Sequence, residues 1–120
     1  MNNDLTNNED GCISFEEFLN VDLRVGKIKK VETVPRMDKI YKAEIDIGTE
    51  NRDIVIGVAQ HYKPEQLEGK IVVVCTNLRP KKIGQIFFRG MVLAAECDKE
   101  KPVLITIDST ENCSLGSKIH

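Results

Sequence analysis

The chain has 120 residues and a mass of 13.5 kDa, is 41% hydrophobic and 30% charged, and has a formal net charge of −2. A chain of this size and composition supports a single hydrophobic core, which excludes a multidomain enzyme. It has no run near the ~20 apolar residues that cross a bilayer, and its polar, acidic N-terminus lacks the pattern of a signal peptide, so we expect a cytoplasmic protein without membrane contact.

The two signs of charge are segregated along the chain. Residues 1–22 contain six acids and no Lys or Arg, so the rest carries 17 basic against 13 acidic residues, a formal charge of +4. Residues 1–12 are rich in Asn and acids and lack apolar periodicity. They predict a flexible acidic tail, followed by one folded domain over residues 13–120.

The first predicted element is a short helix over residues 14–20. Ser14 and Glu17 form the pattern of a capping box, and Phe15, Phe18 and Leu19 lie at helical spacing on one side. A helix this short is not stable by itself, so we expect its apolar side to be covered by another surface.

From Leu23 the apolar period changes to two, which predicts a long first strand with an irregularity near Gly26. The predicted elements that follow are a turn at 35–38, strands at 40–47 and 54–58, a helical turn between Pro64 and Gly69, a strand at 71–75, a loop-rich segment at 77–90, and strands near 91–96 and 103–107. The strand at 71–75 is a continuous β-branched run, which predicts burial on both faces.

These elements predict an all-β fold with short helices. Five or more strands with one small helix before the fourth indicate a Greek-key, five-stranded barrel of the OB type, with an N-terminal helix and a C-terminal extension. A ferredoxin-like sandwich is disfavoured because it requires two full-length helices.

The sequence contains no recognisable catalytic constellation. It has no P-loop, no dinucleotide-binding glycine pattern and no His-x-x-x-His pair, and His61 stands in a connecting segment without a nearby nucleophile. Its four cysteines form no Cys-x-x-Cys pair, so we expect reduced thiols rather than a zinc site or disulfides. We therefore predict no enzyme activity, no cofactor and no metal.

Residues 6–17 match the spacing of an EF-hand calcium loop. However, Thr6 stands at the first position, where a carboxylate is needed, and the five residues before it leave no room for the entering helix. We interpret these residues as part of the tail and a capped helix.

Residues 77–91, which we call the basic segment, have the composition of a polyanion site. They contain four basic residues, no acid, and the adjacent pair Phe87 and Phe88. Cations displace counterions from phosphates and aromatic faces stack on bases, so this segment is a candidate nucleic-acid site. The alternative is a solvated loop with one phenylalanine filling the barrel, since successive strand residues point to opposite sides.

A second basic group lies on the first two predicted strands and the turn between them. In an OB barrel these strands border the usual oligonucleotide face, although lysines also serve to keep an exposed sheet soluble. The group comprises Lys27, Lys29, Lys30, Arg36, Lys39 and Lys42.

Four blocks in order resemble one known family. They are Val21-Asp22-Leu23-Arg24-Val25-Gly26, Pro35 with Asp38-Lys39, Asn77-Leu78 with Pro80, and Gly90-Met91-Val92-Leu93-Ala94-Ala95. Over about residues 14–119 the chain resembles the tRNA-binding domain found at the C-terminus of methionyl-tRNA synthetases and as small stand-alone proteins.

The resemblance implies a non-catalytic OB-fold module that binds tRNA by shape and backbone and acts as an accessory or β-like subunit of a methionyl-tRNA synthetase. The RNA-binding residues that it implies are Arg36, Lys39, Asn77, Arg79, Lys82, Arg89 and Met91. It also implies a homodimer joined through the N-terminal helix and the C-terminal segment, in which Phe15, Phe18 and Leu19 cover the partner.

Phe88 departs from the family pattern, which has a small polar residue at this position. Two interpretations are open: Phe88 stacks on a base, or the site has been rebuilt. The stretches Lys82-Ile83-Gly84-Gln85 and Tyr41-Lys42 to Asp46-Ile47-Gly48 also resemble the CsaA-type export chaperones, which share the barrel and the dimer and bind unfolded polypeptide. Binding of unfolded polypeptide is therefore the alternative function.

Overall fold

The computed structural model describes residues 10–120, so most of the predicted acidic tail and the first positions of the EF-hand-like stretch lie outside the described residues. The first element is helix α1 (Phe15–Leu19). Ser14 Oγ accepts from the Glu17 N–H at 3.0 Å, and the Glu17 carboxylate accepts from the Ser14 N–H at 3.0 Å. The predicted helix and its capping box are therefore confirmed.

Three antiparallel strands follow as a meander. They are β1 (Leu23–Val34), β2 (Met37–Asp46) and β3 (Asn51–Ile56). Strand β3 starts three residues before the predicted 54–58, because Asn51 to Asp53 pair with Asp46 to Glu44 although their side chains are polar. The strand predicted at 40–47 likewise starts earlier, at Met37, because the turn after β1 contains only Pro35 and Arg36.

The second half of the described chain consists of short elements. They are α2 (Pro64–Leu67), β4 (Ile71–Cys75), β5 (Lys81–Ile83), β6 (Ile86–Phe88), β7 (Met91–Val92), β8 (Ala94–Glu96), a 3-10 turn (Asp98–Glu100), β9 (Pro102–Leu104) and β10 (Lys118–Ile119). The segment predicted to be loop-rich therefore contains a hairpin, β5–β6. The strand predicted near 91–96 is divided at Leu93 into β7 and β8. The Leu93 N–H donates to Val73 O and the Leu93 carbonyl accepts from the Ile105 N–H, so this residue links two sheets.

The main sheet follows the path β3-β2-β1-β4-β7, and β10 also pairs with β1. The two end strands of this path are in contact, and the Arg89 N–H, between β6 and β7, donates to Asp53 O on β3 at 3.2 Å. This is the path of a partly open five-stranded barrel, and it agrees with the predicted all-β fold of the OB type. Residues 72–75 are buried, as predicted for β4, and Val72 and Val74 pack with Ile28, Ile45 and Ile54 in the core.

The irregularity predicted near Gly26 is present in β1 and lies a few residues beyond the glycine. Gly26 is in regular register opposite Val72, and the register of β1 shifts between Ile28 and Lys30. A Cβ at Gly26 would lie 2.9 Å from Ile45 Cγ2 and 3.1 Å from Val74 Cγ2. The glycine therefore permits the close packing of the barrel wall and does not form a bulge.

Across residues 10–120, none of the helices has the length and apolar character needed to span a membrane.

Candidate nucleic-acid interface

The β5–β6 hairpin displays part of the basic segment. Ile83 pairs with Ile86 across the two-residue turn Gly84-Gln85, where Gly84 adopts a φ of +62° that suits glycine. Lys82 pairs with Phe87, so both side chains project from the same face, and Lys82 Nζ lies 5.7 Å from the centre of the Phe87 ring. The hairpin thus sets a cation beside an aromatic ring.

The two adjacent phenylalanines have opposite environments. Phe88 is 2% exposed and is among the largest fully buried side chains, whereas Phe87 is 62% exposed. The interpretation that Phe88 stacks on a base is therefore wrong, because its ring fills the interior. The alternation of side chains along a strand explains why burial of Phe88 turns Phe87 outward.

Arg89 is exposed but already paired. Its Nη2 donates to Glu50 Oε1 at 2.8 Å, and Glu50 Oε2 accepts from Arg52 Nη2 at 3.1 Å. Hydrogen bonds from Arg52, and next from Arg89, hold the pKa of Glu50 below its ordinary value. An RNA phosphate at Arg89 would therefore share the guanidinium with Glu50 or replace it, and this partner 39 positions away is not revealed by the sequence pattern.

Two further predicted residues of the basic segment are accessible. Arg79 lies in the exposed connection between β4 and β5, and Met91 begins β7 opposite Cys75 with an exposed side chain. The exposed apolar side chain of Leu78 lies next to Arg79. This face of the chain therefore combines positive charge with apolar surface.

The amide of Asn77 is engaged within the fold. Its Oδ1 accepts from the Asp22 N–H at 3.0 Å, and its Nδ2 donates to Asn20 O at 2.5 Å. These bonds tie the end of α1 to the end of β4. The RNA-binding role of Asn77 stays a prediction, and the structure gives this side chain a structural role that sequence reasoning missed.

Asp22 is the centre of a second junction that the sequence did not indicate. Its carboxylate accepts from Arg24 Nε at 3.1 Å, from Lys118 Nζ at 3.2 Å, and from Thr76 Oγ1. The hydrogen bond from Arg24, and next that from Thr76, hold the pKa of Asp22 far below its ordinary value. Asp22 therefore joins β1, the end of β4 and the C-terminal strand β10.

The second basic group is divided by its contacts. Lys42 Nζ lies 3.6 Å from Glu32 and 4.0 Å from Asp53, and Lys30 Nζ lies 3.7 Å from Glu32. Because acids offset these two lysines, the solvated-sheet interpretation is favoured for them.

Arg36 and Lys39 lie in and just after the β1–β2 turn and are exposed. The Arg89 N–H donates to Asp53 O on β3, and Asp53 pairs with Glu44 on β2. Glu44 lies seven residues along β2 from Met37, the residue after Arg36. At the usual rise of a strand this separation is roughly 20 Å. Arg36 and Arg89 therefore lie at separate points along the sheet and would contact different points on an extended ligand.

The apolar side chains of α1 are left uncovered. Phe15, Phe18 and Leu19 are all exposed, no residue of α1 is buried, and the flanking Ile13 and Val21 are exposed as well. Apolar surface of this kind is typical of an interaction site.

Within residues 10–120, no three His, Cys, Asp or Glu side chains are grouped so that they could hold a metal ion. Exposed basic and apolar side chains on a small barrel are typical of modules that bind an anionic macromolecule. Residues 23–116 match the family model described as "Putative tRNA binding domain", and the chain belongs to this family.

Known proteins of two kinds are similar to the chain. The methionine–tRNA ligase of Pyrococcus furiosus is 44% identical over 107 residues, which cover 89% of this chain and 14% of the ligase. The crystal structure of a MetRS related protein from Pyrococcus horikoshii matches with a TM-score of 0.82 and 35% identity, covering 91% of this chain and 98% of that one. The crystal structure of the CsaA chaperone protein from Picrophilus torridus matches with a TM-score of 0.81 and 28% identity, covering 91% of this chain and 100% of that one.

These similarities confirm the predicted family and its sister group. The matched residues cover only 14% of the length of the ligases from Pyrococcus furiosus and Archaeoglobus fulgidus, so the similarity concerns a small part of those enzymes.

Proposed function

We propose that this chain is a non-catalytic tRNA-binding module that acts as an accessory or β-like subunit of a methionyl-tRNA synthetase. The observation that carries the proposal is the acid-free basic segment of a tRNA-binding family barrel, whose four basic side chains are exposed. Similarity to a methionine–tRNA ligase supports a synthetase as partner. Cations spread over an exposed face suit the recognition of RNA by its phosphates and shape.

In this proposal the folded module spans residues 13–120 and operates in the cytoplasm, where translation takes place. The RNA-contacting residues are Arg36, Lys39, Asn77, Arg79, Lys82, Arg89 and Met91. Glu50 engages only Nη2 of Arg89, so the other N–H donors of this guanidinium are the ones that contact a phosphate.

The first test is the salt dependence of tRNA binding. Neutralising ~4 phosphates gives a slope of about −3 in a plot of log K against log salt, and the double variant Lys82→Ala with Arg89→Ala is expected to flatten it to about −1.5. Each basic side chain that no longer contacts a phosphate lowers the number of counterions released on binding, and the slope falls with that number. Fluorescence anisotropy of labelled bulk tRNA, titrated at several salt concentrations, measures the slope.

The matched control is Lys30→Ala with Lys42→Ala. It makes the same change in net charge, but at lysines that already lie within 4.0 Å of Glu32 or Asp53. We expect its slope to stay near that of the unsubstituted protein. Equal flattening in both double variants would mean that overall charge, and not the basic segment, attracts the RNA.

The alternative function is binding of unfolded polypeptide. Two observations favour it: the exposed apolar side chains Leu78, Phe87 and Met91 on the same segment, and the similarity to a CsaA chaperone protein. Apolar contacts depend little on screening by salt, in contrast to phosphate contacts. Peptide binding that ignores salt, without tRNA binding, would replace the proposed function.

We also propose that the chain is a homodimer in which α1 faces the partner. The variant Phe15→Glu with Leu19→Glu adds two charges to the exposed apolar side of α1 and is expected to convert the dimer to a monomer. Sedimentation equilibrium at micromolar concentrations gives the mass, and circular dichroism checks that the barrel is retained.

Glu16→Gln on the same helix is the control and should leave the mass unchanged, since Glu16 is itself an exposed polar residue. A monomeric unsubstituted protein at these concentrations would refute the dimer.

A further inference from the structure

Phe87 is the most informative side chain of the hairpin. Its ring is 62% exposed, and its cross-strand neighbour is Lys82. Burial of Phe88 at the next position anchors β6, so the outward position of Phe87 is fixed by the fold. An apolar ring that is held in solvent beside a cation suits a ligand that contacts both groups.

A nucleotide is such a ligand. The base of every nucleotide has a flat π-face that stacks on an aromatic ring, and the phosphate of the nucleotide is attracted by a nearby cation. Lys82 Nζ lies over one face of the Phe87 ring at 5.7 Å, which leaves the opposite face for a base. The side chain that lies against the ring is a cation, Lys82, and the same acid-free segment adds Arg79 and Arg89, which favours a ligand that carries phosphates.

We propose that Phe87 and Lys82 form a stacking site for one unpaired nucleobase of the bound RNA. The inference rests on the proposed function and adds to it the kind of RNA element that the hairpin contacts: an unpaired nucleotide in a loop or at an end. Stacking tolerates any base, so this site is compatible with binding that does not read sequence.

The test compares Phe87→Leu, which keeps apolar bulk but removes the aromatic ring, with Phe87→Tyr, which keeps the ring. Affinities are measured by anisotropy for bulk tRNA, a short single-stranded oligoribonucleotide and a fully paired RNA duplex. Phe87→Leu is expected to weaken binding of the first two about tenfold and to leave the duplex affinity and the salt slope unchanged. Phe87→Tyr is expected to bind like the unsubstituted protein.

A second measurement reports stacking directly. In a protein with isotope-labelled phenylalanine rings, the Phe87 ring resonances, assigned by their loss in Phe87→Leu, should shift upfield when the single-stranded oligonucleotide binds. If Phe87→Leu bound all three RNAs as tightly as the unsubstituted protein, and no such shift were seen, the stacking site would be overturned while the proposed function stood. The stacking site would also be overturned if Phe87→Leu lost the binding of unfolded polypeptide and kept its affinity for the RNAs. Absence of RNA binding by the unsubstituted protein would overturn both proposals.

Discussion

Replacement of Phe88 by alanine is expected to lower the free energy of unfolding by about 3–5 kcal/mol. The ring is 2% exposed, so its removal leaves a cavity in the barrel in addition to the lost burial of apolar surface. Domains of this size are stabilised by only about 5–15 kcal/mol, so the loss is a large share of the total. Urea unfolding followed by circular dichroism measures the difference.

Phe87→Ala is the matched control, because it is the same chemical truncation one residue away. The Phe87 ring is mostly exposed, so we expect a change within about 0.5 kcal/mol. Phe88→Leu keeps more of the buried volume and should fall between the two, which preserves the comparison if Phe88→Ala is too unstable to measure. Similar losses for Phe87→Ala and Phe88→Ala would contradict the inward assignment of Phe88.

The same pair of residues shows what sequence reasoning can and cannot provide. Alternation along a strand predicted that one of Phe87 and Phe88 points inward, but not which one. That choice depends on how the β5–β6 hairpin meets the barrel, and the contact of β6 with β3 joins residues about thirty positions apart in sequence. The consequence for function is large, because the exposed ring is the one available to a ligand.

Local signals were reliable where the cause of the structure is local. The capping box of Ser14 and Glu17 and the buried β-branched strand 71–75 lie where they were predicted. The polar start of β3 was missed because Asn51 to Asp53 are held by pairing with β2, and the β5–β6 hairpin was missed because each of its strands has only three residues. Neither leaves a periodic pattern to read.

Hydrogen bonds between side chains far apart along the chain could not be predicted from the sequence either. The Glu50 bond to Arg89 changes the expected behaviour of a predicted RNA-binding residue, because that cation is shared with a carboxylate in the free protein. The bonds of Asn77 to residues 20 and 22 likewise give a predicted site residue a second, structural role. The composition of the basic segment located the candidate surface, and the structure decides which of its side chains are available there.

Asp22→Asn is expected to destabilise the protein by about 1.5–3 kcal/mol at pH 7, the usual value of hydrogen bonds to a charged group. The substitution keeps the shape of the side chain but removes the charge that Arg24 and Lys118 face, and these two cations would lose their partner. The control Asp108→Asn makes the same change of charge at an exposed position and should alter stability by less than about 0.5 kcal/mol.

The pH dependence of the free energy of unfolding distinguishes the contribution of the Asp22 charge from that of its shape. The folded-state pKa of Asp22 lies below the ordinary value of 3.8, so the unfolded chain takes up the proton first as the pH falls. The stabilisation from the carboxylate is therefore complete well above pH 3.8 and is lost progressively below it. In urea unfolding at pH 7, 5, 4 and 3, the gap between the unsubstituted protein and Asp22→Asn should be constant at the first two values and narrow at the last two. A gap that stayed constant down to pH 3 would mean that the hydrogen-bond geometry, and not the negative charge, joins β1, the end of β4 and β10 at this residue.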